Sequence, residues 1–552
     1  MRIISLIFIV CVIISCKMIG DTTQSATTNL DRRPKLIVGI TVDQMRYDYI
    51  EKYWNDYGDN GFKRLLNQGF SCRNLHYNYM PTYTGPGHAS IFTGTTPAYH
   101  GIIQNDWYDR YSNSVIYCSS DTSVTGVGTS SSGGKMSPHS LIASTLGDEL
   151  KLFSNQRSKV FGIAMKDRGA ILPAGRTANA AYWFIGGNEG VWATSSWYME
   201  QLPSWVAEFN KNGKAEEIMN SVWSPLRPDS VYDESIADNN SHEASYKSLL
   251  RPVFPYKLSE LRSSNGNFDL IKATPFGNTL TVDFAKSLIN AENLGQDEFT
   301  DMLCMSFSAT DYIGHQFGIH AKETQDCYLR LDQEIADFLN YLDKKVGAGK
   351  YLVFLSADHG GAPTPSYTAK QKGTGGYWKS DIFETNLEDE LVKRWGPGDW
   401  ILNESNSNIF LNRKLIVEKK MDLKKCQFEL QQLVSENESV LMAFNGADLD
   451  RIDSKNPLAG MAQLGYSQRM SGDVIYILKP GYIENSLTGT THGSPYVYDT
   501  HVPAIFYGFG IQQGETAVGY NITDIAATVA TICRTPLPNA SIGKPIQEAI
   551  KK

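Results

Sequence analysis

The chain lacks the features that would link it to nucleic acid or to cysteine-bound zinc. Its 552 residues include 51 Lys and Arg against 59 Asp and Glu, a net charge of −8, whereas a nucleic-acid-binding surface requires a basic face. Its eight cysteines contain no C-x-x-C pair, which argues against a Cys-ligated zinc site. No internal repeat is present either. We therefore expect no nucleic-acid partner, and the sequence leaves any disulfide pairing open.

One long apolar run stands at the N-terminus, and it is too short to span a bilayer. Arg2 is followed by an apolar stretch from Ile3 to Ile14, which is typical of a secretory signal. The segment Ile13-Ile-Ser-Cys16 is similar to the bacterial lipobox, in which the cysteine becomes the lipidated first residue. An ordinary signal peptide cut a few residues later is the competing interpretation. We predict a signal peptide over 1–16 and a flexible tether over 17–33. The protein is then exported to the periplasm or cell surface, with a lipid at Cys16 as its membrane contact.

Aliphatic runs that end in charged residues recur along the rest of the chain. They begin at Pro34, Val160, Asp301 and Tyr351, and a helical pattern from Lys322 separates the last two, which makes a βαβ unit. The pattern predicts an α/β fold over 34–548, with a largely parallel central sheet and helices on both faces. Two stretches of weak periodicity, about 186–272 and 361–470, are interpreted as insertions.

Thr84 stands in a turn rich in Gly and Pro, just before an apolar run that favours a helix. Gly85 and Gly87 leave little side-chain bulk around it, and Pro86 suits the first turn of a helix. Because free N–H groups at a helix start attract negative charge, Thr84 is a candidate nucleophile toward an anionic substrate. A threonine hydroxyl needs activation, and metal coordination provides it. The competing interpretation is a helix cap without chemistry.

Hard metal ligands follow strands or turns in four separate segments. Three are aspartates and three are histidines, and with Thr84 they make seven N and O ligands, which suits two divalent ions with positions left open for substrate. Asp311 and His315 are four residues apart, so a helix would place them on one face. Taken singly, each segment also fits a capping or surface residue. The six candidates are Asp43, Asp311, His315, Asp358, His359 and His492.

Taken together, these motifs resemble those of the alkaline phosphatase superfamily. The chain is most similar to the bacterial alkaline phosphatases of the PafA type, which use a threonine nucleophile, and the resemblance runs from Pro34 to the C-terminus. The motifs that carry it are Val42-Asp43-Gln-Met-Arg46, Pro81-Thr-Tyr-Thr84-Gly-Pro-Gly-His88, Asn105-Asp-Trp-Tyr108, Lys166-Asp-Arg168, Thr310-Asp311-Tyr-Ile-Gly-His315, Ser356-Ala-Asp358-His359-Gly360 and Thr490-Thr-His492.

The resemblance implies a two-zinc phosphoryl-transfer site. One Zn²⁺ would be bound by Asp311, His315 and His492 and would stabilise the leaving oxygen. The other would be bound by Asp43, Asp358 and His359 together with the oxygen of Thr84, and would activate that hydroxyl. The first step would form phospho-Thr84, which water then hydrolyses. Magnesium or manganese at one site is the alternative that the ligand types leave open.

Substrate class depends on other residues, because the superfamily shares its metal ligands. Sulfatases of this superfamily need a C-x-P-x-R segment, and no cysteine here lies in one. Lys166 and Arg168 lie two apart after a strand, and in an extended conformation they would project to the same side. They would neutralise the roughly two negative charges of a phosphate monoester, and Asn105 would donate another hydrogen bond. A surface charge pair around Asp167 is the competing interpretation.

We therefore predict an alkaline phosphatase that acts on small phosphate monoesters, with weak activity on diesters. The alternative is a phosphodiesterase or nucleotide pyrophosphatase that uses the same two-metal site. A third hypothesis is a lipoprotein that keeps the fold as a non-catalytic binding module. Seven polar ligands in one cleft argue against it, because burying them without a ligand is costly. We expect a monomer.

Overall fold

The computed structural model describes residues 33–453, 455–484 and 487–551. From Pro34 onward these residues form one compact unit. The predicted signal peptide, Cys16 and the tether up to residue 32 lie outside the described residues, so these interpretations stay predictions. Among the described helices, none is both long and apolar enough to cross a membrane.

Strands form where the sequence carries short apolar runs. Leu36–Val42 is buried along its whole length, as expected for a strand covered on both faces of a parallel sheet. In chain order the strands are β1 Leu36–Val42, β2 Phe70–His76, β3 Asp106–Asp109, β4 Ser114–Tyr117, β5 Gly126–Val127, β6 Val160–Ala164, β7 Ala180–Ile185, β8 Val191–Ser195, β9 Val222–Trp223, β10 Tyr256–Lys257, β11 Asp301–Phe307, β12 Tyr351–Ser356, β13 Gly376–Tyr377, β14 Ile401–Ser405, β15 Asn408–Leu411, β16 Val440–Asn445, β17 Val474–Leu478, β18 Tyr482–Ile483, β19 His501–Gly508, β20 Gly514–Thr516 and β21 Tyr520–Asn521.

Eleven of these strands form the main sheet, in the order β20-β2-β19-β12-β1-β11-β6-β7-β8-β5, with β21 also paired to β2. The five central strands, β12 to β7 in this order, are parallel. Strands β19, β8 and β5 join by antiparallel pairing. The predicted α/β fold with a largely parallel centre is therefore confirmed.

The helices lie between and around these strands. In chain order they are α1 Asp48–Lys52, α2 Phe62–Gln68, α3 Thr84–Thr93, α4 Pro97–His100, α5 Leu146–Phe153, α6 Asp167–Ala174, α7 Ser204–Lys211, α8 Lys214–Met219, α9 Leu258–Leu261, α10 Phe276–Ala291, α11 Ala309–Phe317, α12 Lys322–Leu342, α13 Pro365–Lys370, α14 Ser380–Trp395, α15 Arg413–Glu418, α16 Leu423–Ser435, α17 Pro457–Gly465, α18 Val497–Thr500 and α19 Asp524–Cys533.

Helices cover both faces of the main sheet. Gly162 of β6 lies so close to α6 that a Cβ atom there would be 2.0 Å from the carbonyl oxygen of Ala170. Ala181 of β7 pairs with Gly162 in register, so the following residue, Tyr182, points to the opposite face. There its ring contacts Phe284 of α10, with centroids 5.5 Å apart. The sheet is therefore the middle layer of the molecule.

The first predicted insertion, 186–272, contributes directly to the main sheet. Strand β8, Val191–Ser195, lies within it and pairs with β7. Its periodicity is weak because Trp192 to Ser195 are buried in succession, so the alternation typical of a one-sided strand is absent. Trp192 and Trp223 belong to the same hydrophobic core as β1. The boundaries of this insertion remain a prediction.

The second predicted insertion, 361–470, carries a separate small sheet. Its strand order is β14-β15-β17-β16, and a hydrophobic core of its own includes Trp400 and Leu430. Strand β17, Val474–Leu478, which the sequence places after the insertion, lies inside this small sheet. The small sheet therefore extends beyond the predicted boundary. Five described cysteines are buried free thiols, namely Cys72, Cys118, Cys304, Cys327 and Cys426.

Candidate active site

The candidate ligands lie at the carboxyl ends of the central strands. Strand β1 pairs in parallel with both β11 and β12, so the residues that follow these three strands meet at one edge of the sheet. Asp43 follows β1, Asp311 lies in the first turn of α11 after β11, and Asp358 and His359 follow β12. All four are buried.

Two compact groups of ligand atoms result. In each group the ligand atoms lie within 4.8 Å of one another, and His359 belongs to both. His315 was predicted with the first group; its Nε2 lies 3.2 Å from Asp311 Oδ1. The rings of His359 and His492 stack at a centroid distance of 3.4 Å. The groups are Asp311, His359 and His492, and Asp43, Asp358 and His359.

Backbone carbonyl oxygens determine which ring nitrogen carries the proton in His315, His359 and His492. Nδ1 of His315 lies 2.8 Å from Thr490 O, Nδ1 of His359 lies 2.9 Å from Gly360 O, and Nδ1 of His492 lies 2.8 Å from Thr82 O. A carbonyl oxygen only accepts, so each Nδ1 must donate. In the neutral ring, Nε2 then carries the lone pair that a metal ion requires.

The ligand atoms around His359 need a cation. Its Nε2 lies 3.5 Å from Asp43 Oδ1 and 3.5 Å from Asp358 Oδ2. Nε2 and Asp43 Oδ1 are buried and have no hydrogen-bond partner among the described residues. Burial, with His359 beside it, lowers the pKa of His492, and burial also lowers the pKa of His359. Buried lone pairs that face one another fit a divalent ion.

Lys166 links the two groups. Its Nζ lies 2.6 Å from Asp43 Oδ2 and 2.6 Å from Asp311 Oδ2. Burial alone would lower the pKa of Lys166, but Asp311 and Asp43 outweigh it and raise that pKa. Burial, together with Asp358, raises the pKa of Asp43 well above its usual value, although Lys166 opposes the change. A permanent positive charge therefore lies at the centre of the site.

Thr84 is the first residue of α3 and is almost completely buried. Arg168 Nη2 lies 3.5 Å from its Oγ1. The backbone N–H of Gly85 donates to Asn105 Oδ1 at 2.7 Å, which leaves the amide NH₂ of Asn105 to donate to a substrate. An anion next to Thr84 would thus meet a guanidinium, an amide and the start of a helix.

Lys166 and Arg168 follow the strand, as expected, but the extended conformation that would project both side chains to one side is absent. Lys166 is the N-cap of α6, and Arg168 lies in the first turn of that helix. The two side chains therefore diverge: Lys166 points to the carboxylates and Arg168 to Thr84. The strand ends at Ala164, before either residue.

Three residues that contact the site, namely Gln44, His88 and Tyr117, were not predicted from the sequence. Gln44 donates from Nε2 to Asp311 Oδ1 at 2.7 Å and from its backbone N–H to Asp358 Oδ1 at 3.1 Å. His88 lies in the motif around Thr84, and its Nδ1 is 3.1 Å from Asp358 Oδ2.

The hydroxyl of Tyr117 accepts a hydrogen bond from the guanidinium of Arg168. Arg168 Nη1 donates to the Tyr117 hydroxyl at 3.0 Å, and that hydroxyl donates to Asp167. Burial works against the charge of Arg168, but Tyr117 and Asp167 outweigh it and raise the pKa of Arg168. Position in the chain gave no signal for Tyr117, because it lies on the β3–β4 hairpin, about fifty residues before Arg168.

Comparison with known proteins identifies relatives along the whole described unit. The family model for type I phosphodiesterase / nucleotide pyrophosphatase matches residues 37–495. A protein named calcium-transporting ATPase from Myroides odoratus is 44% identical over 524 residues, which cover 94% of this chain and 95% of that protein. Alkaline phosphatase PafA from Elizabethkingia meningoseptica is 40% identical, over 95% of this chain and 96% of PafA. The crystal structure of wild-type PafA superposes with a TM-score of 0.91, covering 94% of this chain and 99% of PafA.

Proposed function

This chain belongs to the type I phosphodiesterase / nucleotide pyrophosphatase family, within the alkaline phosphatase superfamily, and we propose that it is an alkaline phosphatase that hydrolyses phosphate monoesters. The observation that carries the proposal is the guanidinium of Arg168 beside Thr84, with the ammonium of Lys166 among the neighbouring carboxylates. A monoester has about two negative charges near neutral pH, one more than a diester, and therefore gains more from both cations.

Two divalent cations, for which we propose Zn²⁺, supply positive charge at the attacking and leaving oxygens when bound. The orphaned lone pairs around His359 support a cation there. Oxygen and imidazole ligands suit zinc. The residues that would hold the two ions are Asp311, His315 and His492 for one, and Asp43, Asp358, His359 and the oxygen of Thr84 for the other.

The protein groups have separate roles in the proposed reaction. Thr84 Oγ loses its proton to solvent and attacks phosphorus opposite the leaving group, and the bond from phosphorus to the leaving oxygen breaks as the bond to Oγ forms. The departing alkoxide takes up a proton from solvent and leaves as the alcohol. Arg168 binds two non-bridging oxygens through its planar guanidinium, and the Asn105 amide donates to one of them. Water then attacks phosphothreonine and releases inorganic phosphate. Lys166 stabilises the charge on the phosphoryl group through its permanent ammonium.

The test is the ratio of kcat/KM for an aryl phosphate monoester to that for the matched methyl aryl diester, measured on zinc-loaded protein at mildly alkaline pH. We expect a ratio far above one. In Arg168→Ala, monoester hydrolysis should fall much more than diester hydrolysis, because the dianion loses the larger interaction. A wild-type ratio below one would instead identify a phosphodiesterase with the same metal ligands.

Metal content tests whether the chain is an enzyme at all. We expect two zinc ions per chain by elemental analysis, and fewer in Asp311→Ala or His492→Ala. A protein that binds no metal and hydrolyses no phosphate ester would be a binding module. ATP belongs in the same substrate panel, because its terminal phosphoryl group presents the same dianion and one relative is named an ATPase.

We also propose that the protein is exported and lipid-anchored at Cys16, and that it is a monomer. The sequence pattern Arg2, Ile3 to Ile14 and Cys16 supports export. Metabolic labelling with a fatty acid should mark the wild-type protein and leave Cys16→Ala unlabelled. Phosphatase activity that stays in the membrane fraction after this change would contradict the anchor.

A further inference from the structure

A cavity of about 240 Å³ lies beside His492, between the small sheet and the segment that precedes β19. Strand β17 and strand β18 supply part of its wall, and residues 491–499 supply another part. His492 belongs to both features: its ring lines the cavity, and its Nε2 lies 3.7 Å from Asp311 Oδ1. The cavity therefore begins at one of the two candidate metal groups.

Tyrosine rings dominate the wall of this cavity. Tyr83, which precedes the nucleophile, meets His492 edge to face with ring centroids 5.5 Å apart. The faces of tyrosine rings attract cations. The five tyrosines that line the cavity are Tyr83, Tyr476, Tyr482, Tyr496 and Tyr498.

Two acidic residues line the cavity, and because burial raises the pKa of Asp499 to about 7, the negative charge there comes mainly from Glu484. Glu484 lines it and is exposed, and its carboxylate accepts a hydrogen bond from Ser380. Asp499 lines it too and is buried, with its carboxylate bound by the backbone and hydroxyl of Ser494. Among the described residues of the wall, none is Lys or Arg. Beside Glu484, an anionic group would be repelled, whereas a cation would be attracted.

In-line attack fixes which part of a substrate meets the cavity. With phosphorus next to Thr84 and Arg168, the leaving oxygen lies on the far side from Thr84, at the group that contains Asp311 and His492. The alcohol then extends past His492. This step rests on the proposed phosphatase function.

We propose that this cavity is the leaving-group subsite and that it selects phosphate monoesters of amino alcohols, in which the alcohol carries an ammonium group. Tyrosine faces and the Glu484 carboxylate recognise the cation, and the phosphoryl group binds at Thr84 and Arg168. Esters whose alcohol carries a carboxylate or a second phosphate are disfavoured by the same groups.

A matched pair of substrates isolates the charge of the leaving group. Choline phosphate is compared with its isosteric analogue in which carbon replaces the quaternary nitrogen, so that shape is kept and charge is lost. Relative to wild type, we expect the ratio of their kcat/KM values to fall roughly 3- to 30-fold in Tyr482→Leu, from typical cation–π energies, and up to about 5-fold in Glu484→Gln, from the energy of an exposed ion pair. Comparing one ratio between enzymes cancels the intrinsic difference in reactivity of the two esters.

Glu418→Gln is the matched control, because Glu418 is exposed on α15 of the same small-sheet region and is not among the residues that line the cavity. Its ratio should equal that of the wild type. An unchanged ratio in both cavity variants would overturn the subsite. Failure of the proposed function looks different: the wild type would then hydrolyse neither choline phosphate nor an aryl phosphate.

Discussion

Gln44 has a backbone φ of 63°, a left-handed conformation that is uncommon for a residue with a side chain. This conformation turns the chain after Asp43, so that its backbone N–H and its amide reach the carboxylates of two different metal groups. Strain of this kind persists where the surrounding structure enforces it and often marks a functional site. Gln44 thus orients the carboxylates of Asp311 and Asp358 within the two candidate metal groups.

We predict that Gln44→Ala lowers metal affinity by about 10- to 100-fold, as is typical when a partner of a metal ligand is lost. Competition with a chelator, followed by metal analysis, measures the change. Gln325→Ala is the control, because Gln325 is also a buried glutamine but donates to Asp56 and Val231. Equal metal affinity in the two variants would remove Gln44 from this role.

Thr84 is the residue whose change is expected to be most severe. We predict that Thr84→Ala lowers kcat for phosphate monoesters by roughly 10³-fold or more, as for other lost nucleophiles. Acid quenching during turnover should trap a phosphoprotein in the wild type and none in Thr84→Ala. Thr84→Ser keeps the hydroxyl and should still trap phosphate. A phosphoprotein in the alanine variant would place the nucleophile elsewhere.

Aspartates and histidines after aliphatic runs can be recognised without coordinates, and the structure brings five of the six predicted candidates into two groups. All of Asp43, Asp311, Asp358, His359 and His492 meet in the structure. No sequence pattern pointed to Gln44, because its role depends on a positive backbone φ angle that glutamine rarely adopts. The roles of the individual residues remain predictions.

At the scale of elements, the β3–β4 hairpin connects the small sheet to the surroundings of Thr84. Arg110, in the turn of the hairpin, donates to Asp473 at 3.2 Å, and Asp473 immediately precedes strand β17 of the small sheet. Tyr117 at the end of the hairpin holds Arg168, and Cys118 N bonds to Asn105 O at 2.8 Å. The small sheet thus fixes the element that presents Asn105 and Tyr117.

Asp473 provides a matched pair of variants for this element. It is buried and also accepts from Arg413 Nη2 at 2.7 Å, but only Arg110 is on the hairpin. We predict that Arg110→Met and Arg413→Met each lower unfolding free energy by about 1–3 kcal/mol. Only Arg110→Met should also lower kcat/KM for monoesters, by up to about 10²-fold, because misplaced groups cost rate steeply.

Urea unfolding and steady-state kinetics on both variants separate the two effects. If both variants lose stability and neither loses rate, the ion pair is structural and the hairpin is positioned by its other contacts. If Arg413→Met loses as much rate as Arg110→Met, the effect is general loosening of the small sheet rather than placement of the hairpin.

Where elements begin and end was harder to predict than which elements exist. Phe62, Leu65 and Leu66 would share one face of a helix, so the segment from Tyr47 to Gln68 is predicted from its sequence to be a single helix. The structure instead has two helices there, α1 and α2. Asp332 of α12 accepts from Gly58 N and Phe62 N and thereby caps α2 in the middle of the expected helix. A cap supplied by a residue some 270 positions away leaves no local signal, so no reading of the 47–68 segment alone would find it.

At the scale of the whole molecule, two buried glutamates make stability depend on pH. Glu243 and Glu323 are almost fully buried, and within the described chain their Oε2 atoms have no hydrogen-bond partner. Burial, with Glu323 beside it, raises the pKa of Glu243 to about 9. Burial, opposed by the hydroxyl of Tyr256, raises the pKa of Glu323 to about 8. Both carboxyls are therefore protonated in the folded protein near neutral pH.

The sign of the effect follows from proton counting. Unfolded glutamates release their protons near pH 4.3, whereas the folded pair keeps them to about pH 8 and 9. The folded state binds more protons between these values, so stability falls as pH rises from about 4 to about 9. Next to Glu243, Ala244 N bonds to Gln316 O in α11, the helix that carries Asp311 and His315.

We predict that Glu243→Gln is more stable than the wild type at pH 9, by on the order of 2 kcal/mol, and that the gain shrinks toward pH 5. Urea midpoints at both pH values measure the difference. Glu418→Gln, an exposed change, should show no such pH dependence. A gain that is the same at pH 5 and pH 9 would mean that the pair does not hold extra protons.

Gln44 also limits which substitutions the protein can accept at a neighbouring position, Gly314. A Cβ atom at Gly314 would lie 1.9 Å from the Gln44 amide oxygen, so a side chain at position 314 displaces the glutamine, while a shorter side chain at position 44 removes the reason for glycine at 314. A side chain at position 314 is therefore unfavourable until the side chain at position 44 has been shortened. Descendants should keep glycine at 314 wherever they keep Gln44, and that joint pattern can be used to recognise other chains that build their candidate metal site in the same way.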